Sequence, residues 1–495
     1  MSEGLLHQAE RVRVEATIGL DRTAQSARGQ YFTPELAADL IAALPRLPEV
    51  PRLRVLDPGA GSGMLTAAII QRTCREQRIK EVDVTAAELD ATLLPALKQT
   101  AELCEEQGRK SRVKVRVTVV PGDVIAQQTG PGMELGDDFD LVIMNPPYKK
   151  LAASSWQRQA MAAEGWDTGN LYAAFVALGA DSLRVGGQLV AITPRSFANG
   201  PYFERFRKQL LRRVAFDRIH TFESRSTVFA DNGVLQENII FSATRGGRRG
   251  MITVTSSRDH TDVRGERTVA YDELVAPDDP HQFIRITTDE LDDDAVRTIT
   301  SLPASLAALA VRVSTGKVVD FRAQDNLLHA PSPDSLPLIY PGNLRGGKVL
   351  WPRPIGKAQG YQLLGADDSK ALLPSGYYVL VKRFSAKEER RRIVAAVWDP
   401  AQHNQKPVAF ENHLNVFHAN GTGLDRELAW GLCAWLNSSV VDRYFRTFSG
   451  HTQVNATDLR SMNYPDEDAL RRLGGGLENL PEQSELDTLV EQVKP

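Results

Sequence analysis

In "LVIMNPPYKK" (141–150), four apolar residues empty into Asn145, Pro146, Pro147 and Tyr148, followed by Lys149 and Lys150. The two prolines lack amide hydrogens and have fixed φ, so the turn is stiff and its carbonyls are aimed. An exocyclic amine on an aromatic ring is a poor nucleophile because its lone pair is delocalised into the ring. Two acceptors held still, the Asn145 side-chain oxygen and the Pro146 carbonyl, would bind both of its N–H groups, pull the nitrogen toward a tetrahedral shape and free the lone pair. Tyr148 would offer a flat π-face on which the ring could stack. The alternative is a proline-rich turn after a buried strand.

A second constellation lies upstream. "RVLDPGAGSGMLTAAII" (54–70) is a strand, a glycine-rich turn and a helix, with Gly59, Gly61 and Gly63 letting backbone approach a ligand closely. It is neither the G-x-G-x-x-G dinucleotide fingerprint nor a Walker loop, since no G-K-[ST] follows. Asp57 ends this strand. Glu88 in "VTAAELDATLL" and Asp123, followed by Val124, in "VVPGDVIA" end the next two. An acid at the second position can accept ribose hydroxyls and one at the third an adenine amino group, so the three form a nucleoside-shaped set. Each alone reads more readily as a surface carboxylate; it is the set of three that points to a nucleoside.

These residues need strand ends lined up on one sheet edge. Short apolar runs alternate with helical stretches from 28 to 250, which predicts a doubly wound, mostly parallel α/β sheet of Rossmann-like type. Strands are expected at 54–59, 83–90, 114–124, 139–145, 187–193 and 237–245, several without polar alternation, as in strands covered on both faces. "LYAAFVALGADSLR" (171–184) reads as a helix stopped by Gly186-Gly187. We expect an N-terminal extension (1–27), the sheet domain (28–250), a linker or extension (251–300) and an α+β domain (301–480). The acidic "TTDELDDDAV" (287–296) suits a helix N-terminus.

With 495 residues the chain can bury two or three full cores. No run approaches the ~18 apolar residues of a membrane span, and the N-terminus has no signal core, so a cytoplasmic protein is expected. Cys74, Cys104 and Cys433 show neither disulfide nor zinc spacing, and no metal is indicated. Net charge is −3, yet "PYFERFRKQLLRR" (201–213) holds five basic residues and "KRFSAKEERRR" (382–392) six. Such faces can hold a phosphate backbone, or be solvated helix surface.

Residues 57–63, 88, 123 and 145–148 together resemble the S-adenosylmethionine-dependent amino methyltransferases, specifically the gamma-class adenine-N6 DNA methyltransferases of restriction–modification systems, with a TaqI-like catalytic domain. "RGQYFTPELAADLIAAL" (28–44) is similar to the cofactor motif that this class places first. The resemblance implies S-adenosyl-L-methionine as cofactor, flanked at its methionine end by Tyr31, Phe32 and Thr33, with Asn145 close by and Pro34 opening a helix. "STVFADNGVLQENIIFSATR" (226–245) resembles the motif whose aromatic residue covers the other face of an extruded adenine; Phe229 is the candidate, with core packing as its rival. Much of 310–465 reads like the target-recognition region of the PstI-type branch.

The resemblance implies double-stranded DNA as substrate, a separate cognate restriction endonuclease as functional partner, no membrane, and a monomer. A target adenine would have to be extruded, and Lys149, Lys150, Arg195, Lys382, Arg383 and the cluster around Arg391 would grip phosphates. In "FSGHTQVN" (448–455), His451 and Gln453 suit phosphates or base edges, His451 equally a loop-organising role. Two other readings stay open. One is a methyltransferase with the same tetrapeptide acting on RNA or on protein glutamine; the other is a non-catalytic DNA-binding component.

Overall fold

The computed structural model describes the chain except residues 1–3, 19–28, 131–134, 201, 223–237, 258–262, 288, 333–334, 386–388, 449–452 and 494–495. Phe229 and His451 therefore lie outside the described residues. The chain divides into two compact units, Met1–Thr288 and Asp289–Pro495.

The first unit is built on β1 (Arg52–Pro58), β2 (Glu81–Glu88), β3 (Lys114–Pro121), β4 (Phe139–Met144), β5 (Leu183–Pro194), β6 (Val214–Phe222), β7 (Asn238–Arg245), β8 (Met251–Ser257) and β9 (Val263–Ala270). They form one sheet in the order β3-β2-β1-β4-β5-β7-β6-β8-β9. β1 to β5 run parallel, and β7 enters antiparallel beside β5. The fold is the doubly wound α/β fold expected, with β1 and β4 adjacent at the point where strand order reverses and ligands bind.

The register explains the apolar runs. In β4, Leu141 and Ile143 face a core shared with Val55, Val190 and Ile192. Val142 and Met144 face the opposite core, with Leu56, Leu189 and Ala191. Successive side chains point to opposite faces, so a strand covered on both sides is apolar wherever no polar partner is at hand; every residue of β4 is buried, and its one polar residue, Asp140, accepts from Arg54 N (2.8 Å) and Arg184 Nε (2.6 Å). One such side chain contributes roughly 1.5–3 kcal/mol on burial.

Three features differ from the sequence reading. The helix Leu171–Ser182 stops before the glycine pair, and Gly186 and Gly187 lie inside β5, where a register irregularity against β4 absorbs them. β6 was not expected; it pairs with β7 between two arms of the sheet. Residues 251–257 and 263–270, read as linker or extension, form β8 and β9 and extend the same sheet. Their alternation is too short and too polar to register as buried strand.

Among its described residues, the second unit has two small sheets, of six and five strands. In the larger, Val379, Val381, Ala395 and Val397 pack beneath the helices Arg426–Leu436 and Ser439–Phe448, while Leu380, Ala396 and Trp398 face the other way. The two helices are separated at Asn437, whose Nδ2 donates to Cys433 O (2.7 Å) and Ala395 O (3.0 Å). The acidic stretch starts the helix Glu290–Ser301, with Asp289 capping Asp292 N at 2.8 Å. No helix among the described residues is long and apolar enough to cross a membrane.

Candidate active site

β1 delivers the glycine turn. Gly59, Gly61 and Gly63 have φ of 76°, 59° and 91°, backbone that side-chain-bearing residues rarely adopt. A Cβ on Gly63 would also sit 3.0 Å from Leu97 and Thr100. The turn is pinned to the end of β2 from two directions: Gly59 N and Ala60 N donate to Ala87 O (2.8 and 2.9 Å), and Gly61 N donates to Glu88 Oε2 (2.8 Å). Asp90 N donates to Glu88 Oε1 at 2.7 Å. Each carboxylate oxygen can accept a second bond, so Glu88 retains capacity for two hydroxyls.

Burial, only partly offset by these backbone donors, holds the Glu88 carboxyl above the usual range. Asp57, 1% exposed, accepts from Thr66 Oγ1 at 2.7 Å. Burial pushes its carboxyl up to about 7, opposed by the Thr66 hydrogen bonds and assisted by Glu88. Asp57 thus braces the turn from beneath. Asp123 caps the short helix Val124–Thr129 through Oδ1, which accepts from Ile125 N (2.8 Å) and Ala126 N (3.3 Å), so Oδ2 can still accept from a ligand. Val124 beside it is buried.

The end of β4 meets the segment Gly29–Thr33. Tyr148 N donates to Gly29 O (2.9 Å), and a Cβ on Gly29 would lie 2.7 Å from the Tyr148 backbone. Only glycine allows this approach, a signal that stood in the sequence just before Y-F-T-P but was not singled out. Asn145 Nδ2 donates to Tyr31 O (2.9 Å) and Thr33 Oγ1 (3.0 Å). Asn145 Oδ1 is buried and has no hydrogen-bond partner.

The Tyr148 ring lies 5.3 Å from Tyr31 and 6.1 Å, edge-on, from Tyr172, and its hydroxyl donates to Ile192 O at 3.3 Å. Tyr172, not identified in the sequence, in turn pairs with Ser196 Oγ at 3.1 Å. Its helix reads as ordinary apolar packing, and only the fold brings it here. Phe32 faces the turn, 3.9 Å from where a Gly61 Cβ would stand. The structure thus gathers Tyr31, Phe32, Thr33, Asp57, the three glycines, Glu88, Asn145, Pro146, Pro147 and Tyr148 around the ends of β1, β2 and β4, with Asp123 just past the end of β3.

Expected phosphate grips fare unevenly. Lys149 and Lys150 are exposed on a strand-like stretch held by Leu171 N to Lys149 O (2.7 Å). Arg195 is a correction: it is 4% exposed and Nη2 donates to Ile286 O (3.0 Å), which makes it an internal strut. Arg391 is a second correction, half-buried and donating through Nη1 to Asn437 O and Ser438 O at a helix end. Burial lowers its pKa from the ordinary guanidinium value. The basic residues of 202–213 divide: Arg205 and Arg212 are exposed, whereas Arg207 is fully buried and donates to the carbonyls of Phe197, Gly200, His281 and Gln282, and Arg213 lies 4.0 Å from the Trp166 ring and pairs with Asp181.

In the second unit, partly exposed Lys382 and Arg383 share an edge with Gln453, which bridges to Phe384; Val454 N donates to Arg383 O at 2.7 Å. Phe384, 45% exposed, packs against His413 with ring centroids 5.1 Å apart. Neither was singled out from sequence, since one aromatic and one histidine thirty residues apart carry no pattern.

The family model of the Eco57I restriction-modification methylases matches residues 90–229. The chain is 38% identical over 486 residues to the type II methyltransferase M.PstI of Providencia stuartii, covering 97% of this chain and 96% of that one. It is 39% identical over 480 residues to the type II methyltransferase M.BsuBI of Bacillus subtilis, covering 95% and 94%. The type IIL restriction-modification enzyme MmeI, solved in complex with DNA, has a similar fold, with a TM-score of 0.54 at 11% identity over 99% of this chain and 75% of that one. The glycine turn and its carboxylates suit the adenosine of S-adenosylmethionine, the cofactor of such enzymes, and the chain belongs to the type II DNA methyltransferases of restriction–modification systems.

Proposed function

We propose that the enzyme methylates adenine N6 at a specific duplex site after flipping the target nucleotide out of the helix. The observation that carries this reading is the bare, buried oxygen of Asn145 beside an amide nitrogen that is already committed. A buried acceptor without a partner costs about 1–3 kcal/mol, and an incoming N–H donor recovers that cost. An exocyclic amine offers two such donors, one for Asn145 Oδ1 and one for the Pro146 carbonyl.

Held by both, the nitrogen is drawn out of conjugation and its lone pair can form the new N–C bond. The electrophilic methyl carbon would come from the sulfonium of S-adenosylmethionine, whose S–CH3 bond would break as the N–C bond forms, its electron pair staying on sulfur as a neutral thioether. The surplus proton leaves the nitrogen afterwards, so Asn145 needs no strong base beside it. Tyr148, anchored through its hydroxyl on Ile192 O, gives the base a platform whose tilt is set before the base arrives. Flipping costs roughly a few kcal/mol, offset by phosphate contacts, for which Lys149, Lys150, Lys382 and Arg383 are candidates. Phe229, outside the described residues, is the candidate for the second face of the base, and His451 and Gln453 for contacts in the recognition region.

The same reading assigns residues 301–480 to target recognition and makes the chain a cytoplasmic monomer that protects host DNA from a separate endonuclease. Labelled methyl transfer to duplex DNA, RNA and protein, followed by nucleoside analysis, tests it: N6-methyladenine in duplex DNA is expected. Asn145→Ala should lower kcat about 10²–10³-fold, the usual effect of losing one preorganised partner, with S-adenosylmethionine still bound. A variant that turns over normally, or product found only in RNA or protein, sinks the proposal.

A further inference from the structure

Resting on that reading of Asn145, a second question is what determines which end of its amide meets the substrate. The two ends have similar shape and opposite roles, oxygen accepting and nitrogen donating. If the nitrogen faced the target amine, donor would meet donor and the amine could not be held.

Tyr31 O is a main-chain carbonyl and can only accept. The amide atom 2.9 Å from it must therefore be Nδ2. The second amide hydrogen goes to Thr33 Oγ1 at 3.0 Å. Thr33 is 6% exposed and immediately precedes Pro34, which opens the helix Glu35–Ala43, so its position is set by the helix start. With both hydrogens directed toward residues 31 and 33, Oδ1 is the end left without a partner. The segment is itself clamped to the tetrapeptide through Gly29 O and Tyr148 N (2.9 Å), so it cannot drift away from Asn145.

We propose that Thr33 is a positioning residue for the methyl transfer: its hydroxyl, together with the Tyr31 carbonyl, locks the Asn145 amide with its oxygen toward the target amine. The lock also accounts for an amide rather than a carboxylate at this position. An Asp at 145 would place an anionic oxygen against the Tyr31 carbonyl oxygen, two acceptors with no hydrogen between them.

The test uses the full chain and a duplex carrying its methylation site, located beforehand by sequencing methylated DNA. Thr33→Val keeps the shape and removes the hydroxyl; Thr33→Ser keeps the hydroxyl. Thr33→Val should lower kcat about tenfold, the effect of roughly one hydrogen bond's worth of barrier, while Thr33→Ser stays within about twofold of wild type. Because Thr33 also stands at the expected methionine end of the cofactor, kcat is read at saturating S-adenosylmethionine, with the affinity of each variant fixed beforehand by calorimetry. Base extrusion, read by 2-aminopurine fluorescence at the target position, should persist, because 2-aminopurine has no 6-amino group for the lock to serve.

Two residues acting through one atom are not additive, so Thr33→Val added to Asn145→Ala should cause no further loss. Normal kcat in Thr33→Val overturns the inference. So does a loss explained by weaker cofactor binding, or one that adds in full to Asn145→Ala. Should Thr33→Val not fold, Thr33→Ala in the same cycle reads the same coupling. A wild-type enzyme that makes N6-methyladenine while Thr33→Val is unaffected removes only this inference. A wild type that makes none removes the proposed function as well.

Discussion

The carboxyl edge of the first sheet and the basic segment 382–392 of the second unit use polar residues in opposite ways. At the sheet edge, polar atoms are held in place by backbone and then left with capacity to spare: Glu88 accepts one N–H on each oxygen, and Asn145 keeps an oxygen bare. Among the described residues of 382–392, Arg391 and Arg392 spend their charge inside the fold, while Lys382 and Arg383 are partly exposed and Arg390 is exposed. Arg391 binds helix-end carbonyls, and Arg392 is fully buried, with its N–H on Asp442 and Nε on Ser385 Oγ. Residual hydrogen-bonding capacity on a fixed frame marks a site, whereas a count of positive charges does not.

Asp57 gives the largest handle on that contrast. Its carboxyl is pushed from 3.8 to about 7 by burial, so between those values the folded chain holds a proton that the unfolded chain has lost. Stability should therefore fall as pH rises through this window, by on the order of a few kcal/mol. Asp57→Asn cannot titrate, so urea unfolding of the ligand-free protein at pH 5 and pH 8 should show a smaller pH dependence in the variant. An identical dependence would mean that the site acid is not braced as described.

Arg195→Met and Arg391→Met come next. Each leaves carbonyls without their donor and should destabilise by about 1–3 kcal/mol, while the salt dependence of DNA binding stays as in wild type. A flatter salt dependence at unchanged stability would return these residues to the phosphate contacts and dissolve the contrast.

The smallest effect on stability belongs to Lys149→Ala and Lys150→Ala, within about 0.5 kcal/mol. For each that meets a phosphate, the slope of log K against log salt should shrink by about 0.9. Fluorescence titrations at several salt concentrations read this directly. Two unchanged slopes would leave the exposed lysines next to the tetrapeptide without a role in binding.

Much of the first unit was legible because each of its functional residues stands at the end of an apolar run. Asp57 stands next to last in β1, Glu88 closes β2 and Asn145 directly follows β4, each strand ending within two residues of where the sequence placed its end. Gly-rich and Pro-Pro turns are local stereochemistry, readable without knowing the fold. β8 and β9 were not legible, because strands at the far side of a sheet carry polar residues and resemble linker. The order of β7 before β6 in the sheet has no local signal at all.

By itself, then, the sequence determined the parallel core, the glycine turn, the acids at three successive strand ends and the stiff Asn-Pro-Pro-Tyr bend, since periodicity and backbone restriction act over a few residues. Only the tertiary structure decided that Gly29–Thr33 closes against residues 145–148, that Tyr172 backs Tyr148, and that Arg195, Arg207 and Arg391 turn inward. These depend on contacts between segments scores of residues apart, where the same side chain can serve solvent, substrate or a neighbouring carbonyl, and packing chooses among them.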